Sequence, residues 1–532
     1  MTMPPPFMPE TKNLPNGQPE PPRPRRVPGI VQAFLFLVAS VAALMPHFMI
    51  GAQSGLICFA WLVPLIVATL AMSAEMALSI LLASLCFQNT MIAVVTPQIV
   101  KDSNFTILQA TNFGILCLVT AFAGPAWLRM RKFFPAANGR LLQWTFLFFV
   151  VIVVFTGIGI VNSSPASALI YARTYLTGLM MMAVGLALGS RFMMNYMSNI
   201  VRAIALICVV WGVLEYTVTG ELYGFFNFVD YMRLKWANAT DAVFTSIQDV
   251  VNFGNHAYLN LSGQLGSGVE ILRLKGPTLH TISYGYVLAF CCLVSYIYHR
   301  PVLALATFAL VMLVGAKGPM ILTILSIGLS LIYTRTRNHR WLMLALTVCL
   351  GIIFVSGLIY GFYTNDYHIL GLMGGVRGFL ENPLGRGIGV GGNLSDLGQK
   401  ELNFALYQQT GTADFALESA FGVMIYQIGL FGTVVFLLFY RRLWTNVMEA
   451  VLARPEEPRL IVVPIALAFL IVNSVFQEEV FLPTGWGLWL LLSGMLMARH
   501  WRQNLPGSDE IRARPTSSGL TFSTLPLDKK LR

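Results

Sequence analysis

The feature that most constrains this chain is a recurring run of apolar residues, each about as long as the ~20 residues a helix needs to cross a bilayer. Residues 141–161 show it most clearly, with Phe146, Phe148, Phe149, Val150 and Ile152 among them and no ionisable side chain. Similar runs lie near 30–46, 55–72, 75–95, 107–124, 169–189, 200–219, 280–298, 301–315, 319–334, 341–361, 416–440, 460–476 and 482–498. Only 11% of the 532 residues are charged, where a soluble domain carries ~25%. That deficit excludes an ordinary cytosolic enzyme, a disordered chain and a coiled coil. The expected fold class is an all-α polytopic membrane protein with about 14 transmembrane helices (12–14) and two long loops, 220–279 and 362–415.

Charge placement sets the expected orientation, because cytosolic loops collect Lys and Arg. With the N-terminus inside, most of the 35 Lys and Arg fall on that side, including Arg129, Arg131, Lys132, Arg335, Arg337, Arg340, Arg441 and Arg442. An even number of spans then puts both termini in the cytosol. Residues 1–29, rich in Pro and lacking an apolar leader core, read as a disordered tail. Residues 30–498 form the membrane domain, and 499–532 a second cytosolic tail. The two long loops face outward.

Ten cations then lie on the wrong side for the positive-inside tendency: Lys101, Arg173, Arg233, Lys235, Arg273, Lys275, Lys317, Arg377, Arg386 and Lys400. Pairing with Asp230, Asp241, Asp249, Glu270 or Asp396 is one explanation; an anionic ligand at the outer face is the other, and it suits the group better. No basic stripe interleaved with aromatics suggests nucleic acid. All seven cysteines lie in apolar runs without CxxC spacing, which supports neither disulfides nor a zinc site. No phosphate-binding loop motif or paired histidine motif occurs. The string Gly387, Gly389, Gly392 has the spacing of a dinucleotide loop but follows Pro383 in an outward segment, so it reads as a tight turn with backbone close to a ligand. The first outward loop, 46–54, holds no Asp or Glu. A pyrophosphate bound outside is therefore expected to be neutralised by Arg and Lys rather than by a divalent ion.

Four outer elements carry the remaining signal. They are Arg273-Leu-Lys275-Gly276-Pro-Thr; Gly315-Ala-Lys317-Gly318; Arg377-Gly378 followed by Pro383-Leu-Gly385-Arg386-Gly387; and Glu418-Ser419, followed after nine residues by Gly429-Leu-Phe-Gly432. In order, spacing and common outward face, this set resembles the O-antigen ligase / Wzy-type polysaccharide polymerase family over about 165–440. Lys317-Gly318 stands where that family usually has Arg-Gly, and Glu418 stands where ligases usually have His. The resemblance implies metal-independent, inverting transfer of glycan from undecaprenyl diphosphate at the periplasmic face of a bacterial inner membrane. It implies no cofactor, and a flippase and a chain-length regulator as partners.

On that reading Glu418 is the catalytic base. Arg273, Arg377, Arg173, Lys317, Lys275 and Arg386 hold the diphosphate, with Asp414 or Glu381 next in line for the base. Glu418 is expected in the first turn of its helix, where the dipole alone also explains a carboxylate. Tyr223, Tyr231, Trp236, Tyr258 and Tyr407 either stack on sugar rings or anchor the interface. The glutamate at 418 leans toward a polymerase of exopolysaccharide or capsule. A ligase acting on another acceptor, and a flippase for lipid-linked sugars, are the competing functions.

Overall fold

A computed structural model of the chain describes residues 29–133, 137–236, 244–257, 270–395 and 404–503. Backbone groups in hydrocarbon have no water to bond, so apolar runs must satisfy them internally as helix. The result is nearly all helical. Among the described residues, nine helical segments are long and apolar enough to cross a membrane, and three shorter apolar helices accompany them.

The elements are α1 (Ile30–Ser54), α2 (Phe59–Met72), α3 (Ala74–Val95), α4 (Asp102–Gln109), α5 (Thr111–Phe133), α6 (Ala137–Asn162), α7 (Pro165–Leu188) and α8 (Arg191–Thr217). Short helices α9 (Thr219–Phe225), α10 (Phe228–Trp236) and α11 (Ile247–Gly254) follow. Then come α12 (Thr281–Ile297), α13 (Pro301–Val314), α14 (Lys317–Thr336), α15 (His339–Thr364) and α16 (Tyr367–Glu381). The chain ends in α17 (Phe404–Thr410), α18 (Ala420–Leu452), α19 (Val462–Asn473) and α20 (Leu488–Gln503). Helix starts are set by side-chain caps: Ser73, Ser164, Ser190, Asn338, Asp366 and Ser419 each accept a bond from an early backbone N–H.

Helix α3 is central, with 89% of its apolar window buried, whereas α15 buries 11% and presents its apolar surface outward. Contacts between helix ends define two poles. At one pole Arg337 bonds the Pro455 carbonyl, Arg459 that of Tyr296 and Arg502 that of Ala187. At the other pole the backbone N–H groups of Lys275 and Gly276 bond Glu215, Tyr171 bonds Glu478, and Asn162 bonds the Arg386 carbonyl. Both long segments, 220–279 and 362–415, therefore meet at this second pole.

The class is all-helical as expected, with one three-residue antiparallel ladder between β1 (Asn255–Ala257) and β2 (Glu270–Leu272). The described parts of the two long segments carry the short helices α9 to α11, α16 and α17. Two expectations need correction. Helix α20 runs past residue 499, and Arg499 is buried against Glu457 at 2.6 Å, because a carboxylate partner there repays burial of the guanidinium. Finally, the glycine-rich turn approaches protein backbone rather than a vacant site. Gly387 and Gly389 have φ of 101° and 95°, and a Cβ on either would lie 2.5 Å from a backbone nitrogen, of Gly159 and Ala168 respectively.

Helix α18 opens at the same place. Gly429 is non-helical (φ 59°, ψ −164°), and the freed groups bond the 383–387 turn: Leu430 N–H to Pro383, and Arg386 and Gly387 N–H to Tyr426 and Gln427 carbonyls. The Pro-Leu-Gly-x-Gly and Gly-x-x-Gly elements are thus two halves of one backbone latch.

Candidate active site

A cavity of about 570 Å³ lies at the second pole, lined by Arg273, Lys317, Asp366, His368, Glu418 and Glu479 among others. Each side chain arrives by a local device. Arg273 precedes a segment pinned to α3, where Asn89 and Thr90 bond the carbonyls of Thr278 and Pro277. Left-handed Gly276 fits under the Tyr284 ring, a position any Cβ would occupy. Lys317 begins α14 after Gly315, whose φ of 65° turns the chain out of α13. Gly318 beside it leaves room for Asn473 and Gln477, which bond each other and Tyr286.

Asp366 caps α16 through the His368 N–H at 2.9 Å and so places His368 one residue inside the helix. Glu418 is not in the first turn of α18, as expected from sequence, but one residue before the Ser419 cap. Its φ is 52°, a left-handed conformation uncommon outside glycine and asparagine. The Ser419 hydroxyl takes the Gly422 N–H, so the cap is satisfied without Glu418 and the carboxylate is released toward the cavity. His368 Nδ1 lies 3.7 Å from Glu418 Oε2 and 3.3 Å from its carbonyl oxygen.

Carboxyl groups crowd this end. Burial, with Glu479, Glu478 and Asp366 nearby, raises the Glu418 carboxyl well above the ordinary glutamate range, despite a bond from the Asn393 side chain. Burial also raises Glu479 to about 7, with Glu478 adding to the rise while its own backbone N–H and Arg273 oppose it. Burial lowers His368 and keeps its imidazole neutral. Glu479 Oε2 and Arg273 Nε are buried without a hydrogen-bond partner among the described residues. A donor and an acceptor left unmet in this way cost stability unless a ligand meets them. The cavity thus sets Arg273 near Glu479 and Lys317 near Asp366, with Glu418 and His368 in the same lining.

The sequence-derived set divides. Arg273, Lys317 and Glu418 come together at this cavity. Arg377 and Arg386 do not line it: Glu381 pairs with both, at 3.3 and 2.9 Å, and Arg386 stacks 5.0 Å from the Tyr426 ring. Lys275 and Arg173 line neighbouring cavities. Asp414 is exposed away from the lining residues. Tyr223 and Tyr407 are buried in aromatic contacts with Phe228 and Phe415. Tyr231 and Trp236 line the two cationic cavities. Lys400, Asp241, Asp396 and Tyr258 lie outside the described residues. Arg233 pairs with Asp230 at 2.8 Å, the simple pairing allowed for at the outset.

Sequence reasoning missed Asp366, His368, Glu478 and Glu479. Their one visible signal is the adjacent acidic pair in the short outward connection between the last two apolar runs, where a connector needs no charge. Tyr171 and the Asn393 N–H hold Glu478, which lines a smaller cavity of about 140 Å³ with Glu479, whereas Glu479 also reaches the larger one. Comparison with protein-family models and with curated proteins finds no match.

Proposed function

We propose that this chain is a membrane glycosyltransferase that polymerises undecaprenyl-diphosphate-linked oligosaccharides into exopolysaccharide or capsule, at the periplasmic face of a bacterial inner membrane. The reading carries fourteen passes with both termini cytosolic, α1 and α2 forming a hairpin and the three shorter apolar helices together with α20 completing the set. One observation carries it: Arg273 and Lys317 share a single cavity with Glu418 and His368, at the pole where both long segments meet.

The chemistry follows from the charges. The leaving diphosphate gains negative charge as the C1–O bond breaks, and fixed cations in a partly dry site stabilise that charge most. Arg273 offers a planar fork for two phosphate oxygens, and Lys317 a point charge. The attacking sugar hydroxyl forms the new C1–O bond from the opposite face, which inverts the anomeric centre, and gives its proton to Glu418. Desolvation that keeps Glu418 protonated at rest also makes its carboxylate a strong proton acceptor once ionised. A charge on neighbouring Glu479 makes ionisation of Glu418 harder, which adds to the rise that burial causes.

A ligase reading is favoured by one observation, the imidazole of His368 beside Glu418, since ligases usually carry His at the position of Glu418. The deciding experiment incubates purified chain in proteoliposomes with a lipid-linked repeat unit, without ATP. A ladder of lengthened lipid-linked glycans supports the polymerase. Transfer only to a second, non-identical acceptor supports the ligase. Movement of the substrate across the bilayer with no new glycosidic bond overturns both in favour of a flippase.

A further inference from the structure

Beside the candidate active site are two joined cavities of about 260 and 160 Å³, which share Lys235 and His280. The larger adds Arg173 and the smaller adds Lys275 and Arg273. Four elements supply these groups: α7, α10, the segment after β2, and the start of α12. No Asp or Glu is among the lining residues of either cavity. This absence contrasts with the acid-rich cavity next to them, and Arg273 faces both.

Lys275 is 6% exposed, and its Nζ has no hydrogen-bond partner among the described residues. It rests on the Tyr223 and Phe228 rings, at 5.6 and 5.8 Å. Glu215 behind it is occupied by the N–H groups of Lys275 and Gly276 and by the Tyr223 hydroxyl. Burial, then the neighbouring Lys275, lowers Lys235 to about 8; burial lowers Lys275 to about 8 as well, with Glu215 opposing and Arg273 adding. His280 is lowered to about 3 by burial and by the three surrounding cations, and its Nδ1 accepts the Ser283 N–H. The ring is therefore neutral, with its proton on Nε2. A buried cation without a partner, as Lys275 is here, is costly and is retained where an anion joins it; half-buried Lys235 and Arg173, which bonds the Gln109 carbonyl, flank it.

The uncharged part of the larger lining is mostly amide and hydroxyl. Gln88, Asn89, Thr278 and Ser283 are fixed by bonds within the protein, and the Gln109 and Asn112 amides line the cavity beside them. Such a polar wall suits sugar hydroxyls rather than a polyprenyl chain. We propose that this double chamber binds an anionic sugar residue of the glycan, its carboxylate held by Lys235, Lys275 and Arg173, so that the polymer made by this chain is acidic. The assignment deepens the polymerase reading and rests on it. Because Arg273 borders both spaces, a glycan whose diphosphate lies in the acid-rich cavity reaches the chamber with a nearby sugar.

The test measures binding of free glycans to the full chain in nanodiscs, without lipid diphosphate and without turnover. The probes are a glucose–glucuronate tetrasaccharide, the same tetrasaccharide with its carboxyls reduced to alcohols, and inorganic pyrophosphate. The acidic glycan is expected to bind about tenfold tighter than the neutral one, as a desolvated charge-assisted bond warrants. That preference is expected to vanish in Lys235→Gln and Lys275→Gln and to survive in Lys235→Arg. Lys235 is only half-buried, so its variants keep the test valid if Lys275→Gln misfolds. Equal binding of the two glycans, or binding of neither, overturns the chamber. Pyrophosphate binding that depends on Lys235, without a carboxylate preference, overturns it in favour of a second diphosphate site. A carboxylate preference in a chain that forms no ladder leaves the chamber standing and removes the polymerase. A ladder from acidic and neutral substrates alike does the reverse.

Discussion

His368 Nδ1 sits 3.7 Å from Glu418 Oε2, although the two residues are fifty positions apart, one inside α16 and the other just ahead of α18. The contact exists because two caps face one another: Asp366 starts α16 just before His368, and Ser419 starts α18 just after Glu418. A carboxyl and a neutral imidazole are thus held at the edge of a cavity that also contains Arg273 and Lys317.

Glu418→Gln is expected to lower transfer by about 10²–10⁴, the usual cost of losing a general base. Because Glu418 is left-handed, Glu418→Asn tests the same loss with a residue that tolerates the backbone. Both variants should insert and melt normally. Wild-type transfer by purified Glu418→Gln would move the base to Glu479.

Arg273→Gln and Lys317→Gln should each depress transfer strongly, whereas Arg377→Ala should cost less than about tenfold. Exposed ion pairs such as Arg377–Glu381 contribute ~0–1 kcal/mol. Initial rates in proteoliposomes, at matched protein levels, separate the two groups. Equal losses at 273 and 377 would extend the diphosphate site out to the rim.

Transfer should rise as pH climbs above the ordinary glutamate range, since the Glu418 acceptor must be ionised and burial among neighbouring carboxyls lifts it well above that range. The stability sign is opposite. The folded chain keeps a proton that the unfolded chain has lost, so the Glu479 contribution is fully present below about 4.5 and is lost as pH rises to about 7. Melting in detergent should therefore fall across that window. Glu479→Gln should flatten the fall, and an unchanged slope would place the titration on another group.

Gly387→Ala and Gly429→Ala should destabilise the fold by at least the ~1–3 kcal/mol of a strained backbone, because both positions have positive φ and face backbone atoms. Lower melting temperature and lower membrane abundance are the readouts. Full activity at normal abundance would show that the latch between α18 and the 383–387 turn yields easily.

Single cysteines at Thr412 and Arg337, both exposed and at opposite poles, report topology. A membrane-impermeant maleimide should label Thr412→Cys in intact spheroplasts and reach Arg337→Cys only after permeabilisation. The reverse pattern would put the acid-rich cavity in the cytosol and end the lipid-diphosphate reading.

The helical membrane class, the spacing of the apolar runs and the two long segments are legible in the primary structure, because apolar runs of ~20 residues fit a bilayer as helices and are too long for barrel strands. Arg273, Lys317 and Glu418 are legible there too, as charges at the ends of apolar runs. Which of the marked residues meet depends on packing. Arg377 lies on the same segment as His368 but turns to Glu381, because an exposed guanidinium one helical turn from a carboxylate pairs locally. The glycine string looked like a ligand turn because φ > 0 and close approach read alike whether the neighbour is a ligand or a helix. Lys235 and Lys275 stood out in sequence as outward cations, but their convergence on one chamber, like the place of His368 and Glu479, comes from burial and from neighbours dozens to hundreds of residues away. Desolvation and convergence are properties of packing, and a one-dimensional pattern carries neither.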